Sequence, residues 1–84
     1  MKKITIYTGP MCNYCEAAKR LLKRNNAPYE EIDVAKGEGA KDEMIQKANG
    51  KRTIPQIFFD DQHIGGYDEV RALEKENKLK DLLK

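Results

Sequence analysis

The chain has 84 residues, with 16 Lys and Arg against 14 Asp and Glu, 39% apolar residues and two cysteines, which points to a single domain over residues 1–84. A domain of this size buries roughly 60% of the surface its unfolded form exposes, so it can fold alone with little core to spare. A formal charge of +2 and 36% charged residues of mixed sign read as a solvated surface rather than a phosphate footprint, so no nucleic-acid partner is expected.

No apolar run approaches the ~20 residues of a bilayer span, and the stretch from Met1 to Pro10 turns polar too soon for the ~7–15-residue apolar core of a signal peptide. A cytoplasmic location and no membrane partner are therefore expected. In chain order, Lys3 to Thr8 alternates with period two and is rich in β-branched residues before Gly9-Pro10 breaks it, which predicts a strand and a loop. From Asn13 to Arg24, Cys15, Ala18, Leu21 and Leu22 fall on one helical stripe, and Lys19, Arg20, Lys23 and Arg24 suit the negative end of the helix dipole. This helix should end near Asn25-Asn26, and the basic residues should form its solvated outer face.

Pro28 to Val34 alternates again, and a strand–helix–strand unit of this length implies a parallel pair with a right-handed crossover. Gly37 and Gly39 punctuate the next turn, and Glu38 to Lys47 predicts a second helix with Met44, Ile45 and Ala48 on one face, stopped by Asn49-Gly50. Gln56–Phe59 and His63-Ile64 flank Asp60-Asp61-Gln62, a span so short that it permits only an antiparallel hairpin. After Gly65-Gly66, Asp68 and Glu69 suit the first turn of a terminal helix whose Val70, Leu73, Leu79, Leu82 and Leu83 seal the sheet. The order βαβαββα makes an α/β sandwich with a mixed four-stranded sheet and helices on both faces.

Both cysteines lie in Cys12-Asn13-Tyr14-Cys15, which cannot staple distant segments, so the pair reads as reactive rather than structural. Cys12 falls between strand and helix, where unpaired N–H groups favour a thiolate; the dipole contributes at most about 2 kcal/mol, enough to bring a thiol from ~8.5 to ~7. The larger benefit is to leaving ability when a second thiol attacks a mixed disulfide on Cys12. Cys15 lies in the first helical turn on the core stripe, where desolvation keeps it a thiol until Cys12 has reacted; it would be the resolving cysteine. The alternatives are two small core side chains or half a zinc site, but structural zinc needs four ligands and only His63 remains as a conventional nitrogen donor. His63 has no obvious partner in the sequence and is given no chemistry.

Four motifs, Cys12-Asn13-Tyr14-Cys15, Pro28-Tyr29-Glu30-Glu31-Ile32-Asp33, Arg52-Thr53-Ile54-Pro55-Gln56-Ile57-Phe58 and Gly65-Gly66-Tyr67-Asp68, together resemble a bacterial dithiol glutaredoxin over nearly the whole chain. The resemblance implies a thioredoxin-like fold in which the Ile54–Pro55 peptide is cis and faces the cysteines. It implies glutathione-dependent thiol–disulfide exchange on protein–glutathione mixed disulfides and protein disulfides, with Cys12 and Cys15 catalytic and glutathione as reductant. It also implies that the backbone at Ile54 and Pro55 pairs with the cysteine portion of glutathione, that Gly66, Tyr67 and Asp68 seat the γ-glutamyl end, that Tyr14 flanks it, and that Arg52 and Thr53 lie near the glycyl carboxylate. A monomer that meets glutathionylated or disulfide-containing proteins is expected.

Three positions depart from the family pattern. Asn13 replaces the proline of C-P-Y-C and restores a backbone N–H; Gly9 stands where lysine is frequent; Tyr67 stands where many relatives carry cysteine. Loss of the proline also resembles glutaredoxins that share a [2Fe–2S] cluster across a dimer through the first cysteine of each protomer and two glutathione thiolates. Cluster binding through Cys12 is therefore the alternative function, although the C-G-F-S motif of dedicated carriers is absent.

Overall fold

The computed structural model describes residues 2–83. The elements are β1 (Ile4–Thr8), α1 (Asn13–Arg24), β2 (Tyr29–Asp33), α2 (Ala40–Lys47), β3 (Gln56–Phe59), β4 (Gln62–Gly65), α3 (Tyr67–Lys75) and α4 (Leu79–Leu83). The sheet order is β2-β1-β3-β4. β1 pairs with β2 in parallel, Ile4 opposite Tyr29, and with β3 antiparallel, Ile4 opposite Phe59. The hairpin β3–β4 turns on Asp60-Asp61 and carries a register shift between Ile57 and Phe58.

Strand alternation sends side chains to opposite faces and so divides the core in two. On one face Ile4, Ile6, Ile57 and Phe59 meet Ala18, Leu21 and Leu22 of α1, Val70 of α3 and Leu79 and Leu83 of α4. On the other, Tyr7 and Phe58 meet Met44 and Ala48 at α2, their rings edge to face with centroids 5.6 Å apart. Leu21 and Leu22 are fully buried, and each such side chain stabilises the fold by roughly 1.5–3 kcal/mol.

Two helix boundaries differ from expectation. α2 starts at Ala40 rather than Glu38 because Asp33 holds the preceding turn: its Oδ1 accepts the Ala35 N–H at 2.8 Å and its carbonyl the Lys36 N–H at 3.1 Å, and Gly39 then needs a φ of +78°. The single terminal helix is two. Asn77 adopts φ +58° and the Lys78 N–H reaches back to the Leu73 carbonyl at 2.9 Å, a Schellman closure that lets Leu79 and Leu83 turn into the core. Asn26 and Asn49 end α1 and α2 in the same left-handed way, with the Ala27 N–H on the Leu22 carbonyl at 2.9 Å and the Gly50 N–H on the Ile45 carbonyl at 2.8 Å.

Candidate functional site

The strand β1 delivers the chain to a loop, Gly9 to Met11, from which α1 departs. Cys12 is the N-cap, with extended φ and ψ of −116° and 102°, and its Sγ accepts the Cys15 N–H at 3.1 Å. This occupies one of the orphan donors of the first turn and favours the charged form of the sulfur when it is reduced. Cys12 is half-buried, whereas Cys15 is 1% exposed. The two are joined as a disulfide with their Cα atoms 5.2 Å apart. The structure is thus the oxidised form of the pair.

Thr8, buried at the end of β1, helps to anchor the helix behind this cap. Its hydroxyl donates to Glu31 Oε2 at 2.7 Å, and Lys19 Nζ reaches the same oxygen at 3.1 Å while pairing with Glu16 at 2.6 Å. The Thr8 hydrogen bond, joined by Lys19, holds the Glu31 carboxyl below the usual carboxylate range. Of the basic residues on the outer face of α1, Lys19 and Arg24 are held in intramolecular ion pairs, which the sequence pattern did not show.

Opposite Cys12 lies the loop before β3. The Ile54–Pro55 peptide is cis, and the Ile54 carbonyl oxygen is 3.9 Å from Cys12 Sγ. Close approach is tightest at Gly66, where a Cβ would sit 3.2 Å from the Pro55 carbonyl oxygen; a Cβ on Gly9 would meet only the movable tip of the Ile54 side chain, Cδ1, at 2.7 Å.

A groove of about 230 Å³ runs along this loop, lined by Tyr14, Thr53, Ile54, Pro55, Gly66, Tyr67, Asp68 and Glu69. Seven of the residues expected at a binding site are thus brought together, and Tyr14 and Tyr67 face each other with ring centroids 5.8 Å apart. Arg52 does not line the groove; it is exposed on the preceding loop. Glu69 joins it, and its Oε1 accepts the N–H of Gly66, the N-cap of α3, at 2.6 Å, so this donor is already taken. The spacing of Glu69 three residues after Gly66 carried this signal. A larger cleft of about 630 Å³ lies across the α2 face among Lys3, Tyr7, Lys47, Phe58, Asp60 and Asp61, but it contains neither cysteine.

His63 does have a partner. Its Nε2 lies 2.7 Å from Oε1 of the buried Gln56, whose Nε2 donates to the Thr53 carbonyl at 3.0 Å and to Thr53 Oγ1 at 3.1 Å. Burial, with Lys51 nearby, pushes the imidazole below its ordinary pKa, so it is neutral at pH 7. The link joins β4, β3 and a loop, and no periodicity in the sequence marks it. Among the described residues no group of three or more His, Cys, Asp or Glu is placed to hold a metal ion.

The glutaredoxin family model matches residues 4–64. The chain is 43% identical to glutaredoxin 3 of Escherichia coli over 84 residues, all of both chains. It belongs to the glutaredoxin family. The solution structure of a Brucella melitensis glutaredoxin superposes with a TM-score of 0.86 at 45% identity, over 100% of this chain and 90% of that one. A buckwheat glutaredoxin–glutathione complex superposes with a TM-score of 0.85 at 28% identity, over 95% of this chain and 74% of that one. The fold is accordingly thioredoxin-like, and Cys12 and Cys15 form the redox-active pair of a dithiol glutaredoxin, a thiol–disulfide oxidoreductase.

Proposed function

We propose that this glutaredoxin uses glutathione as its reductant and acts on protein–glutathione mixed disulfides and on protein disulfides. The observation that carries the reading is the placement of Cys12. Its sulfur caps α1, accepts the Cys15 N–H, and sits at the carbonyl of Ile54, a residue that lines the groove. The fold match to a glutaredoxin structure that contains glutathione supports it.

In the monothiol route the Cys12 thiolate attacks the glutathione sulfur of a mixed disulfide, and the substrate protein leaves as a thiolate. A second glutathione thiolate then attacks the glutathione sulfur on Cys12, which releases oxidised glutathione and restores the Cys12 thiolate. In the dithiol route Cys12 attacks a protein disulfide. Cys15 then attacks Cys12 Sγ, expels the reduced protein and leaves the disulfide seen in this structure. Two glutathiones return that disulfide to two thiols and become one oxidised glutathione.

Around these steps the groove supplies recognition. The backbone at Ile54, next to a cis bond and outside the sheet, is open to pair with an extended peptide. Asp68, in the first turn of α3, suits the ammonium of the γ-glutamyl end, and Arg52, exposed on the loop before Thr53, offers a cation for the glycyl carboxylate. A cytoplasmic setting with its glutathione pool fits this chemistry. The test is turnover of a glutathionylated peptide coupled to glutathione, glutathione reductase and NADPH. Steady NADPH consumption is the expected result; none, with reduction restored by thioredoxin reductase, would assign the protein to another reductant.

A further inference from the structure

Gln56 and His63 stand outside the groove, yet they determine how one of its walls is held. Gln56 begins β3 directly after Pro55 and is 2% exposed. A peptide carbonyl oxygen only accepts hydrogen bonds, so the Thr53 carbonyl, 3.0 Å away, decides which end of the Gln56 amide faces it: the NH2 group. The Oε1 atom is thereby turned to His63 Nε2 at 2.7 Å, and Oε1 also only accepts. His63 Nε2 must therefore carry a hydrogen, which makes the neutral ring the Nε2–H tautomer. The ring is held in place against Phe58, with centroids 5.0 Å apart.

The consequence reaches the groove through peptide planarity. The Thr53 carbonyl and the Ile54 N–H belong to one trans peptide unit and point in opposite directions. Holding the oxygen against Gln56 turns the Ile54 N–H the other way, and that N–H has no hydrogen-bond partner among the described residues. Thr53 and Ile54 both line the groove.

We infer that Gln56 and His63 are positioning residues for substrate: His63 orients the Gln56 amide, Gln56 clamps the Thr53 carbonyl, and the rigid peptide presents the Ile54 N–H to the backbone of the cysteine portion of glutathione. The inference rests on the reading that glutathione occupies this groove. Neither residue touches the sulfurs, so loss of the clamp weakens binding and leaves the exchange chemistry intact.

The test compares the wild type with His63→Phe and His63→Gln in the coupled glutathionylated-peptide assay, together with nitrogen NMR of the imidazole in the reduced protein. Wild-type His63 should show the Nε2–H tautomer. His63→Phe leaves Gln56 Oε1 without its donor and should raise KM about tenfold with kcat within about twofold. His63→Gln places an NH2 group near the Nε2 position and should bring KM back to within about threefold of wild type. An Nδ1–H tautomer, a His63→Phe KM within twofold of wild type, a loss confined to kcat, or a His63→Gln no better than His63→Phe would each overturn the inference. Should His63→Phe not fold, the tautomer and the His63→Gln constants decide. If the wild type does not turn over with glutathione, the glutathione reading fails by itself; the clamp is then judged by the tautomer and by the Ile54 amide resonance, which must move in His63→Gln or His63→Phe.

Discussion

At the groove end of the neighbouring helices α1 and α3, Cys12 accepts one N–H, from Cys15 at 3.1 Å, and exposed Asp68 engages no hydrogen bond or ion pair among the described residues. At the opposite end one carboxylate, Glu74, gathers several donors. Glu74 accepts Arg24 Nη2 at 2.6 Å and Nε at 2.9 Å, Asn25 Nδ2 at 2.6 Å and Arg71 Nη1 at 3.1 Å, and its carboxyl is held down to about 2, first by Arg24. The same two helices thus differ between their ends: one leaves Asp68 without a partner among the described residues, and the other ties the helices together through Glu74. Two acids on α3, six residues apart, thus stand in opposite surroundings: Asp68 has no partner among the described residues, and Glu74 has several.

This division is open to breakage at each end. Asp68→Ala should raise KM for a glutathionylated peptide about tenfold, the loss of one charge-assisted contact, while leaving the melting temperature almost unchanged. Equal losses of stability and activity would instead give Asp68 a structural duty. Glu74→Gln should do the reverse: activity within twofold of wild type, and stability lower by about 1–2 kcal/mol once screening of the half-exposed Arg24 is allowed for, a melting shift of roughly 5–10 °C. Because the Glu74 carboxyl is depressed from 4.5 to about 2, its contribution is fully present above about pH 4.5 and is lost as pH falls towards 2. The wild-type and Glu74→Gln stability curves, measured by urea unfolding against pH, should therefore separate at neutral pH and converge in acid. A constant gap across that window would locate the stabilisation elsewhere.

The smallest effect concerns Met11, which precedes Cys12, is fully exposed and adopts φ +53°. Asn tolerates this left-handed conformation better than Met, and no packing is lost, so Met11→Asn should stabilise the chain by about 0.5 kcal/mol in urea unfolding. A destabilised variant would show that the methionine side chain makes a contact that its exposure hides.

Periodicity carried the reading of most of the fold. Ile4, Ile6 and Tyr7 on β1, and Cys15, Ala18, Leu21 and Leu22 on α1, meet the faces their spacing assigns, and Cys12 caps the helix that the pattern starts at Asn13. Such features follow from neighbours within a turn or two. What the pattern did not show depends on contacts across the chain or on single backbone angles. Asn77 interrupts the terminal helix through its φ, while Leu73, Leu79, Leu82 and Leu83 keep a helical rhythm on either side of it. The Arg24–Glu74 pair spans fifty residues, and the His63–Gln56–Thr53 chain joins residues whose types alone suggest a solvated hairpin. The cis geometry at Ile54–Pro55 came from the family resemblance, since nothing in local composition distinguishes a cis from a trans proline.

The account turns on the asymmetry between an accessible, capped Cys12 and a buried Cys15, and it is tested most directly by the rate at which Cys12→Ser and Cys15→Ser reduce a glutathionylated peptide with glutathione. Cys12→Ser should be inactive, and Cys15→Ser should equal or exceed the wild-type rate, because glutathione itself resolves the adduct on Cys12. Activity retained by Cys12→Ser, or abolished in Cys15→Ser, would contradict the roles assigned to the two sulfurs.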